Sequence, residues 1–227
     1  MSGSHSRPVH PPSEAVEDYA KAIYSLQRRS AGPVTTNALA ERLGVAPASV
    51  SGMVRKLADL GLARHEPYHG VSLTERGRRL ALEVLRHHRL LELYLTRELE
   101  MPWERVHAEA ERLEHVLSEE LEELIASKLG DPKIDPHGDP IPSRDGSVEE
   151  LRTRSLADLG PGERGRFLRV SDADPELLRH LTRRSLAPGC TLEVTGLDAR
   201  RKRMSIRVEG REQSIGLKAA RAVRVSA

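Results

Sequence analysis

The sequence predicts a mainly α chain with a small β portion, in three parts spanning residues 1–76, 77–146 and 147–227. Three observations carry that reading. Apolar residues recur at helical spacing through the first two parts. From Ser155 onward the period shortens, and Gly160-Pro161-Gly162, Pro188-Gly189 and Gly210 separate alternating segments. Charge changes sign with the pattern: residues 1–97 carry 14 Lys/Arg against 9 Asp/Glu, residues 98–151 carry 5 against 16, and residues 152–227 carry 17 against 9.

In the first part, Ser13 starts a helix over Glu14–Arg29 with the stripe Val16, Tyr19, Ala20, Ile23, Tyr24 and Leu26, and Gly32-Pro33 ends it. Thr36 caps a second helix with Leu39, Ala40 and Leu43 inward, stopped by Gly44. Pro47 opens a third, with Val50, Met53, Val54 and Leu57 inward, ending at Gly61. Leu62–Pro67 and Val71–Thr74 read as strands joined through Tyr68-His69-Gly70. Helix, helix, turn, helix, ribbon is the order of a winged helix-turn-helix. Its third helix would meet double-stranded DNA, with Pro47, Ala48, Ser49 and Ser51 toward base edges, Arg55 and Lys56 toward phosphates, and Thr36 and His69 beside them. The bland alternative is a structural helical hairpin with a solvated basic face.

The second part reads as helices over Arg78–Glu98, Trp103–Glu114 and a third ending at Leu129, followed by Asp131–Gly146, a loop or linker with four prolines. Leu117, Leu121, Leu124 and Ile125 give an apolar stripe among acids, suited to a homodimer contact. The third part, with a helix over Pro175–Arg184 and strands over Thr191–Gly196, Met204–Val208 and Ala222–Val225, reads as a small SH3-like β-barrel. One cysteine, Cys190, excludes a disulfide framework and a thiolate cluster. No apolar run suits a membrane span, and Met1–Pro12 reads as a polar tail without a signal-peptide core, so the expected location is cytoplasmic.

The chemistry concentrates in the acidic block. His107, Glu111, Glu114 and His115 are spaced H-x3-E-x2-E-H, on about one helical face, while His88 and Glu92 are i,i+4 on the preceding helix. Imidazole and carboxylate converging from two helices suit Mn²⁺, Fe²⁺ or Zn²⁺. The rival is a solvated acidic face with incidental histidines. A metal-dependent hydrolase would use similar residues, yet HExxH, a nucleophile elbow and a phosphate loop are all missing from the sequence.

Glu17–Tyr24, Val45–Ser51, Leu73–Gly77, His87–Glu92, the His107–His115 motif and Gly138–Pro142 together resemble the diphtheria toxin repressor family of metal-dependent regulators. The resemblance implies a homodimer whose metal-loaded form binds operators. It assigns Asp18, Glu111, Glu114 and His115 to a primary activating site, and His88, Glu92 and His107 to an ancillary one. The C-terminal domain can add a ligand in longer members; Asp172 sits near that position, while Arg169 occupies the other expected one. Iron-responsive relatives place a methionine and a cysteine where this chain has Asp18 and Glu111, so the resemblance points to Mn²⁺, with Fe²⁺ as the alternative.

Overall fold

The computed structural model describes residues 12–28, 32–66 and 69–226. The chain forms two compact units that divide at Leu85/Arg86. Met1–Pro11 of the expected tail, and Pro67 and Tyr68 of the expected hairpin, lie outside the described residues.

The first unit contains α1 (Glu14–Gln27), α2 (Thr36–Leu43), α3 (Pro47–Asp59), β1 (Ala63–Glu66), β2 (Gly70–Leu73) and the start of α4 (Glu75–Arg97). The Ser13 carbonyl accepts from the Val16 N–H at 2.7 Å, and Glu14 and Glu17 oppose the positive end of the α1 dipole. Thr35, not Thr36, caps α2: its hydroxyl accepts from the Ala38 N–H at 3.2 Å, three residues on, which Thr36 inside the first turn cannot do. Gly44, at φ +66°, closes α2 in the left-handed region, and Pro47 opens α3. Val16, Ile23, Leu39, Val50, Leu57, Leu62 and Val71 form one core, each fully buried large side chain contributing about 1.5–3 kcal/mol. β1 and β2 pair antiparallel from Ala63↔Leu73 to Glu66↔Gly70, and Val34 bridges Val71. A Cβ at Gly77 would stand 1.9 Å from the Leu62 carbonyl, so only glycine lets α4 start this close to β1. That start lies three residues earlier than the periodicity suggests.

The second unit takes the rest of α4, then α5 (Trp103–Leu113), α6 (Glu119–Lys128) and the 131–146 loop. Leu90, Leu91, Leu93, Ala110, Ile125, Ala126 and Ile141 make their common core. Beyond it come β3 (Thr153–Ser155), β4 (Arg164–Arg169), α7 (Pro175–Thr182), β5 (Thr191–Asp198), β6 (Arg203–Val208), β7 (Arg211–Gly216), α8 (Leu217–Ala222) and β8 (Arg224–Ser226). The strand order is β3-β8-β4-β5-β6-β7, around a core that includes Phe167, Leu178, Leu192, Met204 and Val225. Among the described residues no ladder joins edge strands β3 and β7, so the expected barrel is an open sheet; three-residue β3 is spent on β8. The segment expected as a strand from Ala222 instead ends α8 and turns at Val223 into β8. Ala219 and Ala220, small enough to bury in a helical turn, explain the difference.

Candidate metal centre

α4 carries His88 and Glu92 one turn apart, and both are buried. α5 carries His107 and Glu111; Glu114 is its C-cap and His115 follows. These elements converge within the second unit. His88 Nε2 lies 3.1 Å from both Glu92 Oε1 and His107 Nδ1, and His107 Nδ1 lies 3.4 Å from Glu92 Oε1. From the loop after β4, Asp172 brings Oδ2 to 3.0 Å from His107 Nδ1. Ligands at right angles, each about 2.1 Å from one ion, stand about 3.0 Å apart. The His88–Glu92–His107–Asp172 group therefore has the spacing of a coordination sphere.

His88 belongs to a second group as well. Its Nδ1 is 2.6 Å from Glu114 Oε2 and 3.7 Å from Glu111 Oε1, and His115 Nε2 is 3.5 Å from Glu114 Oε1. Glu111 Oε1 is also 3.9 Å from His107 Nε2. The two ligand sets separated in the sequence thus share His88. Asp18 is on α1, in the first unit.

Sequence reasoning missed a third group. Glu92, Asp135 and His137 are all buried, with ligand atoms within 4.8 Å of one another. The proline-rich segment looked like a linker, but Asp135 organises it as a tight turn: its Oδ1 accepts from the His137 N–H at 2.8 Å and the Asp139 N–H at 2.9 Å. The signal available was the Asp-x-His pair directly before Gly138. His137 donates from Nε2 to the Trp103 carbonyl at 2.9 Å and stacks on the indole, which leaves Nδ1 aimed at Glu92 Oε2, 3.4 Å away. That is the tautomer a ligating histidine needs. Arg169, at the position where the resemblance expects a ligand, instead pairs with Asp139 at 3.3 Å, and Arg89 reaches both Asp135 and Asp139 at 3.6 Å.

The electrostatics fit a cation. Burial works against a charged Glu92, yet the His88 charge and hydrogen bonds from His107, His137 and His88 win and hold it well below the carboxylate range. Burial likewise works against charged His107 and His137, but Asp172 and Glu92 push His107 up to about 10, and Glu92 foremost pushes His137 up to about 9. Burial, then repulsion from Glu92 and Asp139, raises Asp135 to about 8 despite Arg89 and His137. Protons occupy a crowd of donors that a divalent ion would neutralise instead. Behind these candidate donors, His87 reaches the Glu114 carbonyl at 3.2 Å and Glu122 at 3.0 Å, and Arg86 also binds Glu122. This supports Glu114 from outside.

On the first unit, Pro47, Ala48, Ser49, Ser51, Arg55 and Lys56 are all exposed on α3, and His69 is exposed at the ribbon turn. Ser51 Oγ donates back to the Pro47 carbonyl at 3.1 Å. Thr36 is half-buried.

Three family models cover most of the chain: the iron-dependent repressor N-terminal DNA-binding domain over residues 13–71, its metal-binding and dimerisation domain over 74–143, and a FeoA domain over 154–227. The chain belongs to the iron-dependent repressor family. Within it, the chain is 40% identical over 129 residues to the iron-dependent repressor IdeR of Mycobacterium tuberculosis, covering 57% of this chain and 56% of that protein. It is 35% identical over 146 residues to the diphtheria toxin repressor of Corynebacterium jeikeium, covering 64% and 60%. The match thus spans little more than half the length of these curated relatives. Among solved structures of this kind, a manganese-dependent transcriptional repressor in complex with manganese shares 40% identity and a TM-score of 0.84, covering 93% of this chain and 99% of that one. The manganese regulator SloR shares 30% and 0.72, covering 96% and 99%.

Proposed function

We propose that this iron-dependent repressor family member is a Mn²⁺-responsive transcriptional regulator of metal-ion homeostasis, not an enzyme, which binds operator DNA as a homodimer when metal-loaded. The observation that carries the reading is the donor set. Every ligand atom in the converging groups of the second unit is imidazole nitrogen or carboxylate oxygen and none is sulfur, and it is the carboxylate oxygens among them that favour Mn²⁺. The one cysteine, Cys190, packs against the sheet core. Fe²⁺ is the second reading, favoured by the names of the curated relatives.

His88, Glu92, His107 and Asp172 would hold one ion, with Asp135 and His137 alongside. Asp18 would join Glu111, Glu114 and His115 at the primary site that the resemblance assigns. A bound divalent ion supplies positive charge to carboxylates that otherwise repel. Asp18, tethered in this way, would restrict the winged helix to one arrangement. Paired recognition helices would then match half-sites about one DNA turn or a multiple apart. DNA and metal must tighten each other's binding equally. Arg55 and Lys56 would take phosphates, and Ala48 and Ser49 would approach bases. No helix among the described residues is long and apolar enough to cross a membrane, which agrees with a cytoplasmic regulator.

DNA retardation on the protein's own upstream region, with chelator and with each metal added back, tests the reading. Mn²⁺ should restore a chelator-sensitive complex. Binding indifferent to chelator sinks metal control, and full activation by Fe²⁺ where Mn²⁺ gives none replaces manganese by iron.

A further inference from the structure

We propose that the tip of the β5–β6 hairpin is a second DNA-contacting element, which grips duplex phosphates without reading bases. The inference rests on the operator-binding reading above. Arg200, Arg201, Lys202 and Arg203 are consecutive at this tip, and residues 197–203 are all exposed. The turn is well fixed. Asp198 and Arg203 pair as the last register of the two strands, and Asp198 Oδ1 accepts from the Arg201 N–H at 2.9 Å. Lys202 adopts φ 52°, and its carbonyl accepts from the Leu217 N–H at 2.9 Å, which ties the tip to the start of α8 beside Lys218. Arg203 is anchored by donating to Ser214 Oγ at 2.8 Å and to the Ser214 carbonyl at 3.0 Å.

A second element brings more cations to the same end of the sheet. Arg183 and Arg184 close the last turn of α7, where the Arg184 carbonyl accepts from Gln213 of β7 at 3.0 Å. His180 is lowered first by burial and then by Arg184, Arg183 and Arg203, so three guanidinium groups from two elements act on one imidazole. Packing like charges together is unfavourable for the free domain; Asp198 offsets one of them, its Oδ2 lying 3.7 Å from Arg201 Nε while its Oδ1 holds the turn, and Arg200 and Lys202 add further positive charge at the exposed tip. A polyanion removes that cost.

Duplex DNA fits better than an acidic protein. Protein interfaces are anchored by buried aromatic and apolar side chains, whereas residues 197–203 offer only Leu197 and Ala199 besides charge. Arginine's planar fork matches phosphate oxygens. The same chain carries a DNA-binding domain, so bound DNA is present at high effective concentration.

The test uses the full-length, Mn²⁺-loaded protein, a duplex from its own upstream region and a scrambled duplex, with binding measured across salt concentrations. Replacing Arg200, Arg201 and Lys202 together by Ser should leave Mn²⁺ binding intact. It should make the slope of log affinity against log salt shallower by about two to three units on both duplexes, with about 10- to 100-fold weaker binding at low salt. Arg200→Lys with Arg201→Lys should keep the wild-type slope. An unchanged slope in the Ser variant overturns the proposal and points to an acidic protein partner. A Lys variant as impaired as the Ser variant also overturns it, because charge would not be the cause. The wild type's metal dependence and preference for the upstream duplex test the regulatory reading separately; if both are lacking, the slopes on the scrambled duplex still decide the hairpin.

Discussion

Glu92 Oε2 and His137 Nδ1 face each other across 3.4 Å, both sealed from solvent, and form a buried ion pair while His137 carries its proton. They point at each other because Nε2 of His137 is already spent on the Trp103 carbonyl and Oε1 of Glu92 faces His88.

Proton release follows from this arrangement. His107, at about 10, and His137, at about 9, both sit above the ordinary histidine value, so the metal-free protein binds a proton on each at pH 7. A ligating imidazole must give that proton up. Cation binding at these groups should expel two protons from the histidines and, below about pH 8, a further one from Asp135, so affinity should rise at least about 100-fold per pH unit from pH 6 to 8. Calorimetry in two buffers of different ionisation enthalpy counts the protons directly. A count of zero contradicts the assignment of both histidines.

Trp103 should report the site's occupancy. It is the chain's one tryptophan, and its ring stacks on His137 with centroids 5.5 Å apart and planes 15° from parallel. A protonated imidazole against indole quenches its emission, and losing that proton relieves the quenching. Zn²⁺, which is diamagnetic, should therefore raise the fluorescence of the wild type on titration. His137→Ala should start bright and respond little. A full Zn²⁺ response in that variant would place the reporter's partner elsewhere.

The sequence made the first unit legible because its punctuation is chemical. Gly44 must adopt positive φ, Pro47 suits only a helix start, and the stripe Val50, Val54 and Leu57 has one period. Thr35 and Thr36 could not be told apart, since adjacent hydroxyls differ as caps only by which reaches the Ala38 N–H. The His and Glu pairs that converge from α4 and α5 are visible from i,i+4 spacing. Asp135 and His137 were not, because what buries them is the Asp135 side chain folding its own turn, a contact that composition hides behind four prolines. In the sheet domain, β4 alternates Arg164 and Arg166 with Gly165 and Phe167 before Leu168 breaks the alternation, so its apolar signal is thin. Gly165 and Phe167 are its buried positions, and Phe167 is the one large side chain buried there.

Gly138→Ala should separate the turn from the rest of the site. Gly138 has φ +86°, and a Cβ there would lie 1.8 Å from the Leu168 carbonyl, where backbone cannot yield cheaply. The strained dihedral alone costs about 1–3 kcal/mol, and the clash adds to it. The 135–139 turn should shift, carrying Asp135 and His137 away from Glu92. Thermal unfolding should show a lower midpoint, and the Trp103 response should be lost with it. A variant as stable as wild type would mean that the turn tolerates displacement.

The dimer prediction turns on which side of α6 is left over. The stripe expected from the sequence joined Leu117, Leu121, Leu124 and Ile125, but the fold divides it. Ile125 is buried in the unit's own core and Leu117 packs against it, while Leu121 and Leu124 remain 48% and 61% exposed and nearby Val116 is 71% exposed. Large apolar side chains grouped on an outer helical face mark an association surface, and Glu119, Glu120 and Glu123 surround them with charge suited to a polar rim. Leu121→Glu with Leu124→Glu would place carboxylates at the centre of that face without touching the protomer's core. Each protomer should keep its fold and its cation binding. Light scattering should change from dimer to monomer at micromolar concentration. Operator affinity should fall by at least about 100-fold, because two half-sites are no longer held by one particle. A double variant that still scatters as a dimer rejects this face.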